Sequence, residues 1–114
     1  MKNGANLLLE CVKNQKVNKF FGVPGESYLS ILDQLLNFPE MKWIGARQEG
    51  GAAFMASAYA QLTGNPGVCF VTRGPGSTNA SIGVHTASQG SIPLILFIGQ
   101  VSSELVGREA FQEL

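Results

Sequence analysis

The sequence predicts a three-layer α/β/α fold, with helices on both faces of one parallel sheet. Three observations predict it. Short apolar stretches alternate with segments of helical period along the 114 residues. Two stretches, Val68–Thr72 (V-C-F-V-T) and Pro93–Ile98 (P-L-I-L-F-I), are almost continuously apolar, the pattern of parallel strands buried on both faces. Glycine and proline punctuate the predicted strand ends, at Pro24-Gly25, Gly45, Gly74-Pro75-Gly76 and Gly99.

Taken in order, Asn3 is placed to cap a first helix with apolar Leu7, Leu8, Cys11 and Val12, and Lys13 and Lys16 suit its C-terminal end. Val17–Val23 reads as a strand, stopped by Pro24-Gly25, and Ser27 as the cap of a second helix carrying Tyr28, Ile31, Leu32, Leu35 and Leu36 on one face. Pro39 breaks the chain before a second strand, Met41–Gly45. A third helix runs from about Glu49 to Leu62, with a small-residue face of Ala52, Met55, Ala56 and Tyr59 that permits close approach to the sheet or to another subunit. Gly64 and Pro66 stop it. After Val68–Thr72, Ser77 or Thr78 caps a fourth helix with Ala80, Gly83, Val84 and Ala87 on one face. Pro93–Ile98 is the fourth strand, and Gln100–Leu114 is a polar loop that starts a helix at its end. About four strands are present, and the last is so hydrophobic that a neighbour is expected beyond it.

Composition excludes several classes. Eight Lys plus Arg balance eight Asp plus Glu, leaving no basic patch for nucleic acid or an anionic membrane. Apolar residues make up 45% and charged residues 14%, a share that points to surface hidden against partners as well as in the core. Cys11 and Cys69 lie in apolar runs without metal spacing and read as reduced core thiols. A single histidine, His85, excludes the usual His-based metal sites and reads as a packing or hydrogen-bonding residue more than as a catalyst. No signal-peptide core and no span-length apolar run occur, so the expected location is the cytoplasm. A nucleophile elbow and a Walker lysine are missing, which removes serine hydrolases and P-loop enzymes.

Trp43–Tyr59 organises the rest: it places Glu49 at a strand-to-helix junction, on the rim where open α/β sheets hold ligands. Gly22–Ser27, Arg73–Asn79 and Arg108–Glu113 read as further walls of that rim. Each is ambiguous alone. A first-turn glutamate often only complements the helix dipole, G-V-P-G-E can be a plain turn, and Arg47 and Arg73 can be surface charges or carboxylate partners. The turn Gly74–Asn79 favours an anion or a polar ring at the helix start, and by itself leaves a flavodoxin-like nucleotide-binding module open.

In order, the motifs G-V-P-G-E, R-Q-E-G-G-A-A-F-M-A, T-R-G-P-G-S-T-N, P-L-I-L-F-I-G-Q and R-E-A-F-Q-E are far more specific. Together they resemble the thiamine-diphosphate-dependent enzymes, and among them the N-terminal pyrimidine-binding domain of the acetolactate synthase group, across essentially all of residues 1–114. The resemblance implies an enzyme acting on 2-oxo acids by decarboxylation or carboligation, with thiamine diphosphate as cofactor. It makes Glu49 the group that hydrogen-bonds the aminopyrimidine ring, favours its imino tautomer and so promotes ylid formation. It assigns Pro24 and Gly25 to the loop beside the pyrimidine, Gly74, Gly76 and Asn79 to the glycine turn lining the pocket, and Gln112 with Phe111 to the substrate side. It further implies a site between two subunits, in a homodimer or larger homo-oligomer, and no metal ligand within this chain.

Gln48, Gly50 and Phe54 depart from the common R-H-E-Q-G-A-A-H-M-A, and Arg73 replaces a small serine, so related decarboxylases, carboligases and lyases stay open. The G-D-G…N segment that holds the diphosphate through Mg2+ is not in the sequence, and the family's pyrimidine domain has six strands. The chain is therefore expected to be a partial domain that does not turn over alone, and a non-catalytic truncated or split-enzyme subunit needing a partner chain is the alternative. FAD, bound by some relatives, is not indicated by any residue here.

Overall fold

The computed structural model describes residues 3–114. Its main elements are α1 (Gly4–Asn14), β1 (Lys19–Gly22), α2 (Leu29–Gln34), β2 (Lys42–Gly45), α3 (Glu49–Thr63), β3 (Gly67–Val71), α4 (Pro75–Gln89) and β4 (Leu94–Ile98). The four strands form one sheet in the order β2-β1-β3-β4, all parallel. Gly22 lies opposite Gly45 on one side and Phe70 on the other, so every strand ends on the same rim.

Two cores sandwich the sheet. Ala5, Leu9 and Val12 of α1 pack with Ile31 of α2 on Phe20, Val68 and Phe70. Ala52, Ala53 and Ala56 of α3 pack with Ala80 of α4 on Phe21, Cys69 and Val71. This is the three-layer α/β/α arrangement. β3 is buried along its whole length, as its unbroken apolar run predicts. Small side chains on α3 serve the sheet and α4: a Cβ on Gly83 would sit 2.4 Å from Ala53 Cβ, so only glycine lets these helices approach so closely.

Several local expectations are corrected. The second helix is one α-helical segment flanked by 3-10 turns at Glu26–Tyr28 and Leu35–Asn37. Ser27 does not cap it; its hydroxyl pairs with that of Thr72 at 2.7 Å, because the two loops meet across adjacent strand ends. Leu36 and Val84 face outward. Cys11 is exposed while Cys69 is buried, since the α1 stripe against the sheet runs through Ala5, Leu9 and Val12 instead. α4 begins at Pro75, and Gly74 takes the cap position without a side-chain bond. Arg108–Leu114 forms turns, not a helix. The capping roles of Asn3, which accepts from the Asn6 amide, and of Gly64 at φ 71° are as the sequence indicates.

β4 pairs with β3 alone among the described residues, and Ile95 and Ile98 are exposed. Between it and α4 runs an apolar groove of about 470 Å³, bordered by Val84, His85, Leu96 and Ile98. Among the described residues no helix is long and apolar enough to cross a membrane.

Candidate functional site

The strand order reverses direction between β1 and β3. The chain leaves β1 toward β2 on one side and returns to β3 on the other. Loops after such strands diverge and open a crevice on the carboxyl rim. The turn after β1 (Val23–Gly25) and the turn after β3 (Thr72–Gly74) meet on this rim, where Gly25 packs against Thr72, and α3 and α4 begin on the same rim.

Glu49 is placed by its neighbour. Gln48 is extended, at φ -153°, and its side-chain oxygen accepts the Gly51 amide at 3.0 Å, which closes the first turn of α3. Glu49 then sits in that first turn, where exposed N–H groups favour a negative charge. From α4, Asn79 Nδ2 donates to Glu49 Oε2 at 2.9 Å. The other carboxylate oxygen faces Gly76: a Cβ there would come within 3.5 Å of Glu49 Oε1 and within 3.0 Å of Thr72 Cγ2. A methyl at 76 would touch that oxygen at ordinary contact distance, and its tighter conflict is with Thr72.

Gly74 has φ 55° and ψ -109°, a conformation that disfavours a side chain. A Cβ on it would also meet the Gln112 carbonyl oxygen at 2.6 Å, so the Arg108–Leu114 segment lies directly on this turn. Gly25 packs against Thr72, with a would-be Cβ 2.6 Å from Thr72 Cβ. Pro24 is exposed at the tip of the same loop. Phe111 offers its carbonyl to Arg73 Nε at 2.9 Å while its ring stays exposed. The structure thus brings the sequence-derived candidates Glu49, Gly74, Gly76, Asn79, Gly25, Phe111 and Gln112 to one end of the sheet.

The core beneath senses the site's charge. Burial pushes the Cys69 thiol up to about 12, and the Glu49 charge adds to the effect. Burial also raises the Tyr28 hydroxyl well above its ordinary value, with smaller contributions from Cys69 and Glu49. That hydroxyl donates to the Val23 carbonyl and so fixes the turn after β1. Among the described residues no group of three His, Cys, Asp or Glu gathers to hold a metal ion.

Three contributions at the rim were left open by the sequence or differ from what it indicated. Gln48 is a cap, a role usually held by shorter side chains. The Ser27–Thr72 hydroxyl pair ties the two crevice loops together. Arg73, only 7% exposed, donates from Nη2 to Glu26 Oε1. The usable signal was the opposite charge of Glu26 and Arg73, each just beyond a strand end. Recognising it required knowing that β1 and β3 are adjacent.

The family described as thiamine pyrophosphate enzyme, N-terminal TPP binding domain, matches residues 2–114. The acetolactate synthase large subunit of Buchnera aphidicola subsp. Schizaphis graminum is 43% identical over 111 residues, covering 97% of this chain and 19% of that protein. Acetolactate synthase isozyme 3 large subunit of Escherichia coli K12 is 42% identical over 113 residues, covering 99% of this chain and 20% of that protein. The chain thus spans about a fifth of the length of the curated relatives it matches. The X-ray structure of a candidate thiamin diphosphate-dependent enzyme isolated from Mycobacterium smegmatis superposes with a TM-score of 0.89 at 26% identity, covering 98% of this chain and 21% of that one. On the family match, the fold and the four-strand topology, this chain belongs to the N-terminal TPP-binding-domain family of thiamine pyrophosphate enzymes.

Proposed function

We propose that this chain supplies the pyrimidine-binding wall of a thiamine-diphosphate-dependent, acetolactate synthase-like enzyme acting on 2-oxo acids. The observation that carries the reading is the half-buried Glu49 carboxylate, in the first turn of α3, with one oxygen bonded by Asn79 and Gly76 beside the other. When bound, thiamine diphosphate supplies a nucleophilic carbon and an electron sink for decarboxylation and carboligation.

The chain's residues fit the pyrimidine end of that group. Such a carboxylate can hydrogen-bond a ring nitrogen and exchange a proton with it. Asn79 fixes the orientation of that carboxylate, and Gly76 places no side chain beside its other oxygen. Pro24 and Gly25 form the neighbouring wall, and Phe111 and Gln112 border the substrate side. The diphosphate and its Mg2+ would be held by a domain outside residues 1–114, in the same protein or in a partner chain, and a second subunit would complete the crevice.

The test is Glu49→Gln in the full-length protein. Exchange of the thiazolium carbon-bound proton of bound thiamine diphosphate, followed by NMR, is expected to fall at least a hundredfold while binding weakens less than tenfold. Unchanged exchange in Glu49→Gln, or a wild-type protein that binds no thiamine diphosphate, would overturn the reading.

A further inference from the structure

Arg73 stands where two parts of the rim meet, and its role is not absorbed by the cofactor reading. Its guanidinium is nearly buried, with a side-chain exposure of 9%. Nη2 donates to Glu26 Oε1 on the β1 side of the crevice, and Nε donates to the Phe111 carbonyl at 2.9 Å. The segment it reaches is strained: Glu109 and Gln112 have φ of 55° and 59°. Non-glycine residues in this region persist only when surrounding contacts over-determine them.

Those contacts are identifiable. The Glu113 carboxylate accepts the Gly107 and Ala110 amides, and Gln100 Nε2 donates to the Leu114 carbonyl at 2.6 Å. These bonds hold residues 100–114 to themselves. Arg73 ties them to the end of β3, and the Gln112 carbonyl lies where a Cβ on Gly74 would meet it at 2.6 Å. The planar guanidinium reaches both partners at once through separate nitrogens, which a lysine ammonium does less well.

We propose that Arg73 is a positioning residue, a latch that docks the Arg108–Leu114 segment, and with it Gln112, onto the glycine turn at the mouth of the crevice. Glu26 neutralises and aims the latch. The docking stands on the geometry alone; the consequence for substrate rests on the function proposed above, where Gln112 borders the 2-oxo acid.

The experiment uses the full-length protein with Arg73→Ser, Arg73→Lys and Glu26→Gln. Without ligand, Arg73→Ser is expected to speed amide hydrogen exchange across residues 107–113 at least tenfold, leaving β1 and β3 unchanged. Arg73→Lys should lie between, and Glu26→Gln should give about a threefold increase. With pyruvate as probe, Arg73→Ser should raise KM at least fivefold, lower kcat less than twofold, and alter thiamine diphosphate affinity less than twofold. If Arg73→Ser does not fold, Arg73→Lys and Glu26→Gln carry the same comparison, because Glu26 is largely exposed. Exchange unchanged in all folded variants overturns the latch. Exchange that rises equally in β1 and β3, or a parallel fall in cofactor affinity, also overturns it by marking a general structural role. A wild-type protein that binds no thiamine diphosphate defeats the functional reading only, and the exchange data still decide the latch.

Discussion

Asn79 on α4 donates a 2.9 Å hydrogen bond to the Glu49 carboxylate on α3, joining two helix starts that are 30 residues apart in sequence. A hydrogen bond to a charged group contributes about 1.5–3 kcal/mol, and the exposure of Asn79 puts this one at the low end. In the full-length protein, Asn79→Ala is expected to slow proton exchange at bound thiamine diphosphate about tenfold. Asn79→Asp should slow it further, because two facing carboxylates repel. NMR exchange rates check both, and an Asn79→Ala rate equal to wild type would remove Asn79 from the site.

Gly83→Ala tests the helix–helix contact. Alanine is favoured over glycine in a helix interior by about 1 kcal/mol, so an unhindered site would gain stability. Here the new methyl would lie 2.4 Å from Ala53 Cβ, and overpacking costs about 1–3 kcal/mol. The clash is expected to win by about 1 kcal/mol, read as a lowered urea midpoint.

The two thiols should separate cleanly. Cys11 is exposed, whereas Cys69 is buried in β3 with its thiol pushed up to about 12. Native protein should therefore react with a thiolate-selective reagent at Cys11 alone within minutes, and at Cys69 only on unfolding. Peptide mass mapping checks the assignment.

Alkaline pH should destabilise the fold through the same core. Cys69 rises from an ordinary 9.0 to about 12 and Tyr28 also rises. A raised acid binds its proton more tightly when folded, so its contribution is full below the unfolded value and is lost as pH climbs toward the folded one. Stability measured by denaturant titration should hold to about pH 9 and fall between there and 12. Cys69→Ala should flatten part of that slope.

Residues 1–114 produced alone should self-associate through β4, whose Ile95 and Ile98 are exposed on an edge strand. Ile95→Lys should lower that association at least severalfold, measured by sedimentation velocity, since a lysine on an open edge blocks pairing.

Periodicity made the elements legible: β3 reads as buried because nothing polar interrupts Val68–Val71, and α3 is recognisable from its alanines. Glu49 was legible as a carboxylate at a strand-to-helix junction, and the ordered motifs supplied its company. What stayed hidden depended on sheet order. Ser27 and Thr72 are 45 residues apart, and Glu26 and Arg73 are 47 apart, so local pattern offers no sign that they touch. Helix rotation was the other limit. Cys11 and Leu36 sit one position off the buried stripes, where a period of 3.6 residues leaves the assignment ambiguous.

The β1–β3 pairing also sets a schedule for synthesis. When the ribosome has made residues as far as β2, only two strands exist, and Phe20 and Phe21 present an unfilled edge that awaits β3. At about 5–20 residues per second, the stretch from Ala46 to Val71 takes on the order of one to five seconds to emerge. Throughout that interval one edge of β1 stays unpaired in the nascent chain. β3 is the strand that bridges β1 to β4, so the translation of α3 sets how long the open edge of β1 waits for its partner.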